Sequence, residues 1–129
     1  MIKETITYTN FNDEKVTDTF YFNLTTAEWL RIDASYQSFG GIKGFLESAT
    51  KKQDKEGILK LFEKLLLTSY GERPDGIKFV KNKELSDAFS YSEAYSELLM
   101  KFLQNTDEGI KFFNALSPKE TSVPVVVNK

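Results

Sequence analysis

The residue types that could carry out chemistry are restricted in this chain of 129 residues, because it contains neither histidine nor cysteine. Without histidine, the chain lacks the commonest general base near neutral pH and the commonest metal ligand. Without cysteine, it has no thiolate nucleophile, no thiolate metal site and no disulfide. The composition therefore excludes Ser-His and Cys-His catalytic systems.

The 19 acidic residues are the remaining candidates for reactive groups, but their spacing singles out no pair typical of a glycosidase. Asp54 and Glu56 could hold a hard cation, but their spacing is non-specific and capping of a helix explains Asp54. Asp33 falls on an apolar helix face, where an unpaired carboxylate is costly. We expect Asp33 at the rim of the core beside a hydrogen-bond donor rather than in a functional site. The sequence predicts no metal and no cofactor.

Two patterns that could bind phosphate are weak. Gly40, Gly41 and Gly44 follow no strand and precede no Gly-Lys-Ser/Thr, so they indicate a chain break before a helix rather than a phosphate loop. Lys81 and Lys83 form a small basic cluster in a chain of net charge −2. We therefore expect no nucleic-acid partner.

The apolar residues are spread too evenly for a membrane protein. No apolar run approaches the ~20 residues that span a bilayer, and the first residues lack the apolar centre of a signal peptide. We therefore expect a soluble cytoplasmic protein without a membrane partner. Net charge is −3 in residues 1–35, +4 in 36–83 and −3 in 84–129. This pattern could favour head-to-tail self-association, although solvated helix faces are the simpler explanation.

The first quarter of the chain predicts a β-hairpin. Residues 2–9 and 16–22 are rich in β-branched and aromatic side chains, and the polar stretch 10–15 between them is prone to turns. Because two strands alone are marginally stable, one face of the hairpin must lie on helices or on a strand of another subunit.

The remainder of the chain predicts helices, of which residues 54–70 form the central one. Its large side chains cover half of the helical wheel, with Asp54 as the N-terminal cap and Gly71 as a left-handed terminator. These side chains are Ile58, Leu59, Leu61, Phe62, Leu65, Leu66 and Tyr70. The residues Thr25 and Glu28 have the spacing of a capping box, which predicts a helix from there to about Tyr36.

Four further helices are predicted. They cover residues 42–52, 82–89, 91–103 and 106–116, with Asn82, the Ser90–Glu93 pair and Thr106 as caps. Residues 77–80 predict an extended segment packed onto the core. The sequence thus predicts an α+β fold, with an N-terminal β-hairpin followed by a mainly α-helical domain of about five helices. Residues 1–118 would form one domain (hairpin 2–22, helices 25–116), and 119–129 a flexible tail.

Several segments together resemble the tail assembly chaperones of long-tailed phages, in the form found among phages of Gram-positive hosts. The resemblance covers about residues 1–118 in order and spacing, and the stretch Ser86–Met100 is the most specific part of it. The other segments are Ile6-Thr7-Tyr8, Phe20-Tyr21-Phe22-Asn23-Leu24-Thr25, Tyr70-Gly71-Glu72-Arg73-Pro74-Asp75-Gly76 and Phe79-Val80-Lys81-Asn82.

The resemblance implies a non-enzymatic assembly factor, analogous to the lambda protein encoded between the tail tube and tape measure genes. Such proteins bind the tape measure protein, keep it soluble and help to recruit tail tube subunits. They act in the host cytoplasm and are absent from the mature virion. Two alternatives remain open: another phage or prophage adaptor, connector or inhibitor, and a small-ligand-binding domain or unrecognised enzyme.

A chaperone for an apolar helix needs exposed apolar grooves or movable amphipathic helices. Some candidates adjoin the Gly40–Gly41 break, which could let the next helix swing, and others fall off the apolar face of their helix or near the end of the helical region. The candidate partner-binding residues are Phe39, Ile42, Phe45, Leu46, Leu67, Met100, Phe112 and Phe113. For Phe45, Phe112 and Phe113, an ordinary core position is the favoured alternative. Coating a long partner also predicts self-association, through the hairpin edge or the tail.

Overall fold

A small antiparallel sheet packs against a layer of helices. The computed structural model describes residues 1–118 and, within that range, every side chain except that of Thr106. Strands β1 (Ile2–Thr9) and β2 (Lys15–Phe22) form the predicted hairpin. A short strand β3 (Tyr70–Gly71) pairs antiparallel with the end of β2, so the order of the sheet is β1-β2-β3.

Six α-helices follow the hairpin in the described part of the chain, and each overlaps one of the helical ranges predicted from the sequence. They are α1 (Thr26–Ser35), α2 (Gly41–Lys52), α3 (Lys55–Ser69), α4 (Lys83–Ser90), α5 (Glu93–Gln104) and α6 (Thr106–Leu116). A 3₁₀ turn (Gln37–Phe39) joins α1 to α2. The predicted α+β class is confirmed. The domain bounds stay a prediction, and the predicted tail lies outside the described residues.

Successive side chains along each strand point to opposite faces of the hairpin, and the two faces differ in polarity. The face that contains Ile6 and Phe22 is buried against helices, since these residues are 8% and 0% exposed. On the outer face, the hydroxyls of Thr5 and Thr19 lie 3.0 Å apart and those of Thr7 and Thr17 lie 2.7 Å apart. These threonine pairs satisfy one another across the strands and leave a polar surface.

Local capping sets the starts of three helices as predicted. Thr25 forms the complete capping box with Glu28. The carboxylate of Asp54 accepts from the Gly57 N–H at 3.0 Å, and Asn82 caps α4. Each side-chain oxygen satisfies a backbone donor that has no partner within the helix.

The predicted role of Gly71 is wrong. The helix α3 ends at Ser69, its C-cap Tyr70 is extended, and Gly71 continues into β3. A Cβ at Gly71 would lie 2.5 Å from Phe79 Cζ and 2.7 Å from the Val80 carbonyl oxygen. The chain therefore needs glycine here for the close approach of the following segment rather than for a left-handed turn.

Two other predicted caps are wrong by one or two residues. Helix α5 is capped by Ser92, whereas the Ser90 hydroxyl donates to the Asp87 carbonyl at 2.6 Å. Helix α6 is capped by Asn105, which precedes the predicted cap Thr106. Ser and Asn can both cap, so spacing alone could not decide between neighbouring candidates.

The central helix occupies the middle of the core, as predicted. Leu61, Leu65 and Leu66 are fully buried. The ring of Phe22 approaches the rings of Tyr70, Phe89 and Phe112 at centroid distances of 5.9, 5.8 and 5.5 Å. A cluster of this kind adds ring–ring attraction to the burial of large apolar area.

A single lysine ties the hairpin to α1 and α3. The Lys81 ammonium donates to the carbonyls of Asn23 and Thr68 at 3.0 and 3.1 Å, and to the Glu28 carboxylate at 2.6 Å. Burial alone would raise the pKa of Glu28, but the hydrogen bonds from Lys81 and Thr25 and the lysine charge outweigh it, so this pKa is lowered.

The segment before Lys81 matches its prediction in part. Val80 forms an isolated antiparallel bridge with Glu72, so the chain is extended there. Ile77 is 80% exposed, so its predicted packing onto the core is wrong. Asp75 accepts from the backbone N–H groups of Ile77 and Lys78, and this turn directs the isoleucine side chain into solvent.

Candidate partner-binding groove

An open groove lies where the turn between α2 and α3 faces the turn between α5 and α6. Its volume is about 610 Å³ and its lining is mainly apolar. The lining residues are Leu46, Thr50, Gln53, Lys55, Ile58, Phe62, Phe102, Leu103, Gln104, Gly109 and Ile110. Because the groove is open and apolar, it suits an amphipathic segment better than a small polar ligand.

The first wall is positioned by the tight turn between α2 and α3. Gln53 adopts a left-handed conformation with φ of 56°, and the Asp54 N–H donates to the Ala49 carbonyl at 2.9 Å. Asp54 then caps α3. This turn brings Leu46 from α2 and Ile58 from α3 onto the same wall, and both are half-buried.

Aromatic rings form the floor. The rings of Phe62 and Phe102 lie 5.8 Å apart, and Phe102 stacks on Phe112 at 4.7 Å. A Cβ at Gly109 would lie 3.1 Å from the Phe102 carbonyl oxygen and 3.3 Å from Phe62 Cζ. Glycine therefore lets α6 approach the floor closely, since a side chain there would press on fixed backbone.

Two large aliphatic side chains on the second wall remain accessible. Leu103 is 39% exposed and Ile110 is 41% exposed. Met100, one helical turn before Leu103, is 48% exposed. The sequence analysis named neither Leu103 nor Ile110 as a candidate partner-binding residue. No signal in the sequence distinguishes them from buried neighbours, because their exposure depends on how α6 lies against α5.

Charge is distributed unevenly around the groove. Lys51, Lys52 and Lys55 are exposed at the turn between α2 and α3, and none of them forms an ion pair with any described residue. On the other side, Lys101 pairs with Glu4 at 3.3 Å and with Glu108 at 3.6 Å. One side of the groove therefore presents lysine ammonium groups that belong to no ion pair within the described residues.

Four of the eight predicted partner-binding residues are buried. Ile42 is fully buried, and Phe45 lies between the rings of Tyr36 and Phe39 at 4.6 and 5.0 Å. Phe112 and Phe113 are 3% and 7% exposed. In this conformation the four residues offer a partner almost no surface, so a binding role for them stays a prediction that requires the fold to open.

The other four differ in accessibility. Leu46 lines the groove. Met100 is exposed and precedes the lining residue Leu103 by one helical turn. Phe39 is 46% exposed but lies on Phe45, away from the groove lining. Leu67 is half-buried against the core cluster rather than free in solvent. The structure thus brings one predicted residue, Leu46, together with lining residues that the sequence did not single out.

The residues Gly40 and Gly41, where the sequence predicts a flexible joint, are held by specific contacts at the start of α2. Both glycines have positive φ, at 86° and 93°. The Asp33 carboxylate accepts from the Ile42 N–H at 2.8 Å, which confirms its predicted donor, and a Cβ at Gly41 would lie 2.7 Å from that oxygen. Swinging of α2 stays a prediction, and it would have to expose the buried Ile42.

A comparison with protein families decides the assignment. The model of a family described as phage tail assembly chaperone matches residues 1–124. The chain belongs to the phage tail assembly chaperone family. This confirms the resemblance seen in the sequence, while the type of host and the analogy to the lambda protein stay predictions. No match was found among curated proteins or among solved structures.

Membership of the tail assembly chaperone family is consistent with a role in binding other proteins rather than in catalysis. Within residues 1–118, no group of three or more carboxylates is arranged to hold a metal ion. No helix in the same part of the chain is long and apolar enough to cross a membrane.

Proposed function

We propose that this tail assembly chaperone binds a helical segment of the tape measure protein in the groove between the α2–α3 and α5–α6 turns. By covering apolar surface of that protein, it keeps the protein soluble until tail tube subunits assemble around it. It acts in the host cytoplasm, has no enzymatic activity and is absent from the mature virion. The exposure of Leu103 and Ile110 beside an aromatic floor supports this proposal most directly.

The dimensions of the groove suit one row of side chains from a helix. An α-helix with its side chains is about 10–12 Å wide, which is too wide for a groove of about 610 Å³ to enclose. The partner helix would therefore lie across the opening and insert apolar residues spaced three or four apart. Leu46, Ile58, Leu103 and Ile110 would contact that row.

The lysines beside the groove favour acidic residues on the facing side of the partner helix. Lys51, Lys52 and Lys55 have no ion-pair partner among the described residues. We expect acidic residues on the side of the partner helix that faces them, since opposite charges accelerate association and fix its orientation. Binding should therefore weaken as salt concentration rises, because these lysines are exposed and screened.

Co-expression with the tape measure protein from the same phage tests the proposal. We expect that protein to be soluble with the wild-type chaperone and largely insoluble with Leu103→Lys combined with Ile110→Lys. The matched control combines Leu30→Lys with Ile77→Lys, at apolar residues that are 53% and 80% exposed away from the groove. If the tape measure protein is equally insoluble with and without the chaperone, the proposed function is wrong.

Recruitment of tail tube subunits is measured by adding tail tube protein to the soluble complex and following co-sedimentation.

The two pairs of variants distinguish an incorrect binding site from an incorrect function. If the control pair abolishes solubility and the groove pair does not, the chaperone function stands but the groove is the wrong site. Circular dichroism of each variant confirms that the added lysines leave the helices folded.

A further inference from the structure

The outer edge of β1 carries backbone groups that point away from the rest of the sheet. The Asn10 N–H donates to the Glu14 carbonyl at 2.9 Å, and the register continues from this pair without interruption to Ile2 and Phe22. Bonded and non-bonded pairs alternate along antiparallel strands. The even-numbered residues of β1 therefore bond to β2, and the odd-numbered residues direct their N–H and C=O groups outward.

The other edge of the hairpin gives the same alternation. The Asn23 N–H donates to the Ser69 carbonyl at 2.9 Å, and Tyr21 pairs with Gly71. The odd-numbered residues of β2 thus face β3, so the even-numbered ones face β1. The two edges independently lead to the same set of outward residues in β1, which are Lys3, Thr5, Thr7 and Thr9.

This edge lacks the usual protection. Within residues 1–118, the outward backbone groups of these four residues have no hydrogen-bond partner. Residues 2–9 contain no proline, their pairing with β2 contains no bulge, and Lys3 is their only lysine. Natural edge strands usually carry such features because an open edge accepts another strand.

The inner face of the strand is fixed, so only its edge is open. Helix α5 packs against β1, Ile6 is 8% exposed, and Lys101 of α5 lies 3.3 Å from the Glu4 carboxylate. These contacts hold the strand in an extended conformation before any partner arrives, which lowers the entropy cost of pairing.

We propose that β1 pairs antiparallel with β1 of a second copy of the chain, about a two-fold axis at Ile6. The two three-stranded sheets then form one continuous sheet. Lys3 lies opposite the partner's Thr9 and Thr5 lies opposite the partner's Thr7, and symmetry repeats both pairs. The interaction is separate from the groove, so each copy keeps its groove free.

The sequence of β1 is complementary to itself in this register. All four outward residues are paired, whereas shifting the axis to Thr5 or Thr7 leaves at least one of them without a partner. No like charges are opposed, because Glu4 lies opposite the partner's Tyr8. The hydroxyl pairs of the outer face, Thr5–Thr19 and Thr7–Thr17, would continue across the axis as Thr5–Thr7 pairs. This complementarity favours a second copy over an unrelated strand.

Two charge variants of the full chain test both the pairing and its register. Thr5→Lys with Thr7→Lys places two positive charges opposite each other in each pair, whereas Thr5→Glu with Thr7→Lys places opposite charges there. Both variants change the same positions, and within the hairpin both face the neutral Thr19 and Thr17. Sedimentation velocity over a range of concentrations should give a dimer for the wild type and the Glu/Lys variant. The dissociation constant of the Lys/Lys dimer should be about tenfold higher than that of the Glu/Lys dimer, since like charges directly opposite each other destabilise an antiparallel strand pair and opposite charges stabilise it.

Two proline variants test whether the dimer forms through the outer edge of β1 or through the opposite edge of the hairpin. Thr7→Pro removes an outward N–H from β1, and Thr17→Pro is its matched control on β2, where the N–H also points outward and the short β3 does not reach. Thr7→Pro should dissociate the dimer, and Thr17→Pro should not. Thermal melts establish that both proteins are folded.

The following outcomes overturn the proposal. They are a wild-type chain that remains monomeric at every concentration, equal dimerisation of the two charge variants, and dissociation by Thr17→Pro alone. Dissociation by Val125→Lys with Val127→Lys, while the Lys/Lys variant of β1 still dimerises, would assign the association to the C-terminal segment instead. The groove pair Leu103→Lys with Ile110→Lys should leave the dimer intact, so failure of the groove proposal and failure of this one are distinguishable.

Discussion

A row of four aromatic rings runs from the sheet to the groove, and its two ends meet different surroundings. Phe22, at the sheet, is fully buried beneath β3, α4 and α6, with three further rings around it. Phe112 and Phe102 continue the row to Phe62, at the floor of the groove. Beside that floor, Leu103 keeps 39% of its surface exposed.

The comparison shows that an apolar helix face does not by itself determine burial. Leu103 and Phe102 are neighbours on α5 and belong to the same apolar half of its wheel, yet only Phe102 is covered. At the sheet, Lys81 ties the neighbouring elements together. At the groove, no described element crosses the opening between α2–α3 and α5–α6. The first end is suited to stability and the second to partner binding.

The largest expected difference between the sheet end and the groove end is in the unfolding free energy lost when a large side chain is replaced by alanine. Phe22→Ala should lower the free energy of unfolding by about 3–5 kcal/mol, because it opens a cavity among buried rings. Leu103→Ala should cost about 1 kcal/mol or less, since part of its surface is already in water. Urea denaturation of both variants measures these values. Equal losses would show that the groove end is as tightly sealed as the sheet end.

A smaller loss of unfolding free energy is expected when the Lys81 hydrogen bonds near the sheet are removed. Lys81→Met should cost about 2 kcal/mol, because it leaves the Asn23 and Thr68 carbonyls without their donor. The control Lys83→Met removes an exposed pair with Asp87 and should cost much less, because exposed ion pairs contribute little to stability. The same urea titration applies, and a loss of similar size in both variants would contradict a tying role for Lys81.

An intermediate case is the start of α2, which leads towards the groove. Asp33→Ala should cost about 1 kcal/mol, because the Ile42 N–H loses its acceptor. Asp33→Asn keeps a carbonyl oxygen there and should cost less. Differential scanning calorimetry compares their melting temperatures with wild type. If the two variants melt alike, the side chain does not act through this hydrogen bond.

The smallest expected effect is a pH dependence of stability that arises from Glu28, near the sheet. The pKa of Glu28 is lower in the folded chain than its ordinary value of 4.5: burial opposes this, and hydrogen bonds to Lys81 and Thr25 outweigh it. Its charge therefore contributes stability that is fully present above about pH 4.5 and is lost as pH falls through the folded pKa. Urea titrations from pH 6 to pH 3 should show a shallower loss for Glu28→Gln than for wild type. Parallel curves would rule out this contribution.

Local signals in the sequence predicted much of the fold. The hairpin followed from β-branched alternation around a polar turn, and Thr25, Asp54 and Asn82 were identified as caps from residue type and spacing. These features depend on interactions within a few residues along the chain, which a sequence displays directly. Asp33 was predicted to find a donor, although the sequence could not show that the donor is Ile42 N–H.

The errors share one cause, which is contact between residues distant in sequence. Gly71 resembles a helix terminator, but the approach of Phe79 and Val80 determines its role. Ile110 belongs to the same helix as the buried Phe112 and Phe113, yet it is 41% exposed beside the groove. The candidate site was predicted in kind, as apolar helical surface, but of its lining residues only Leu46 was predicted to bind a partner.

The sequence by itself determined the α+β class, the hairpin, most helix starts and, through its resemblance to a family, the assignment as a tail assembly chaperone. These depend on local hydrogen bonding and on the order of segments along the chain. Only the tertiary structure decided which apolar side chains remain accessible and that no strand within residues 1–118 pairs with the outer edge of β1. The physical reason is that burial and edge pairing are set by elements that meet across long sequence separations, and the sequence of one element does not specify the position of its neighbour.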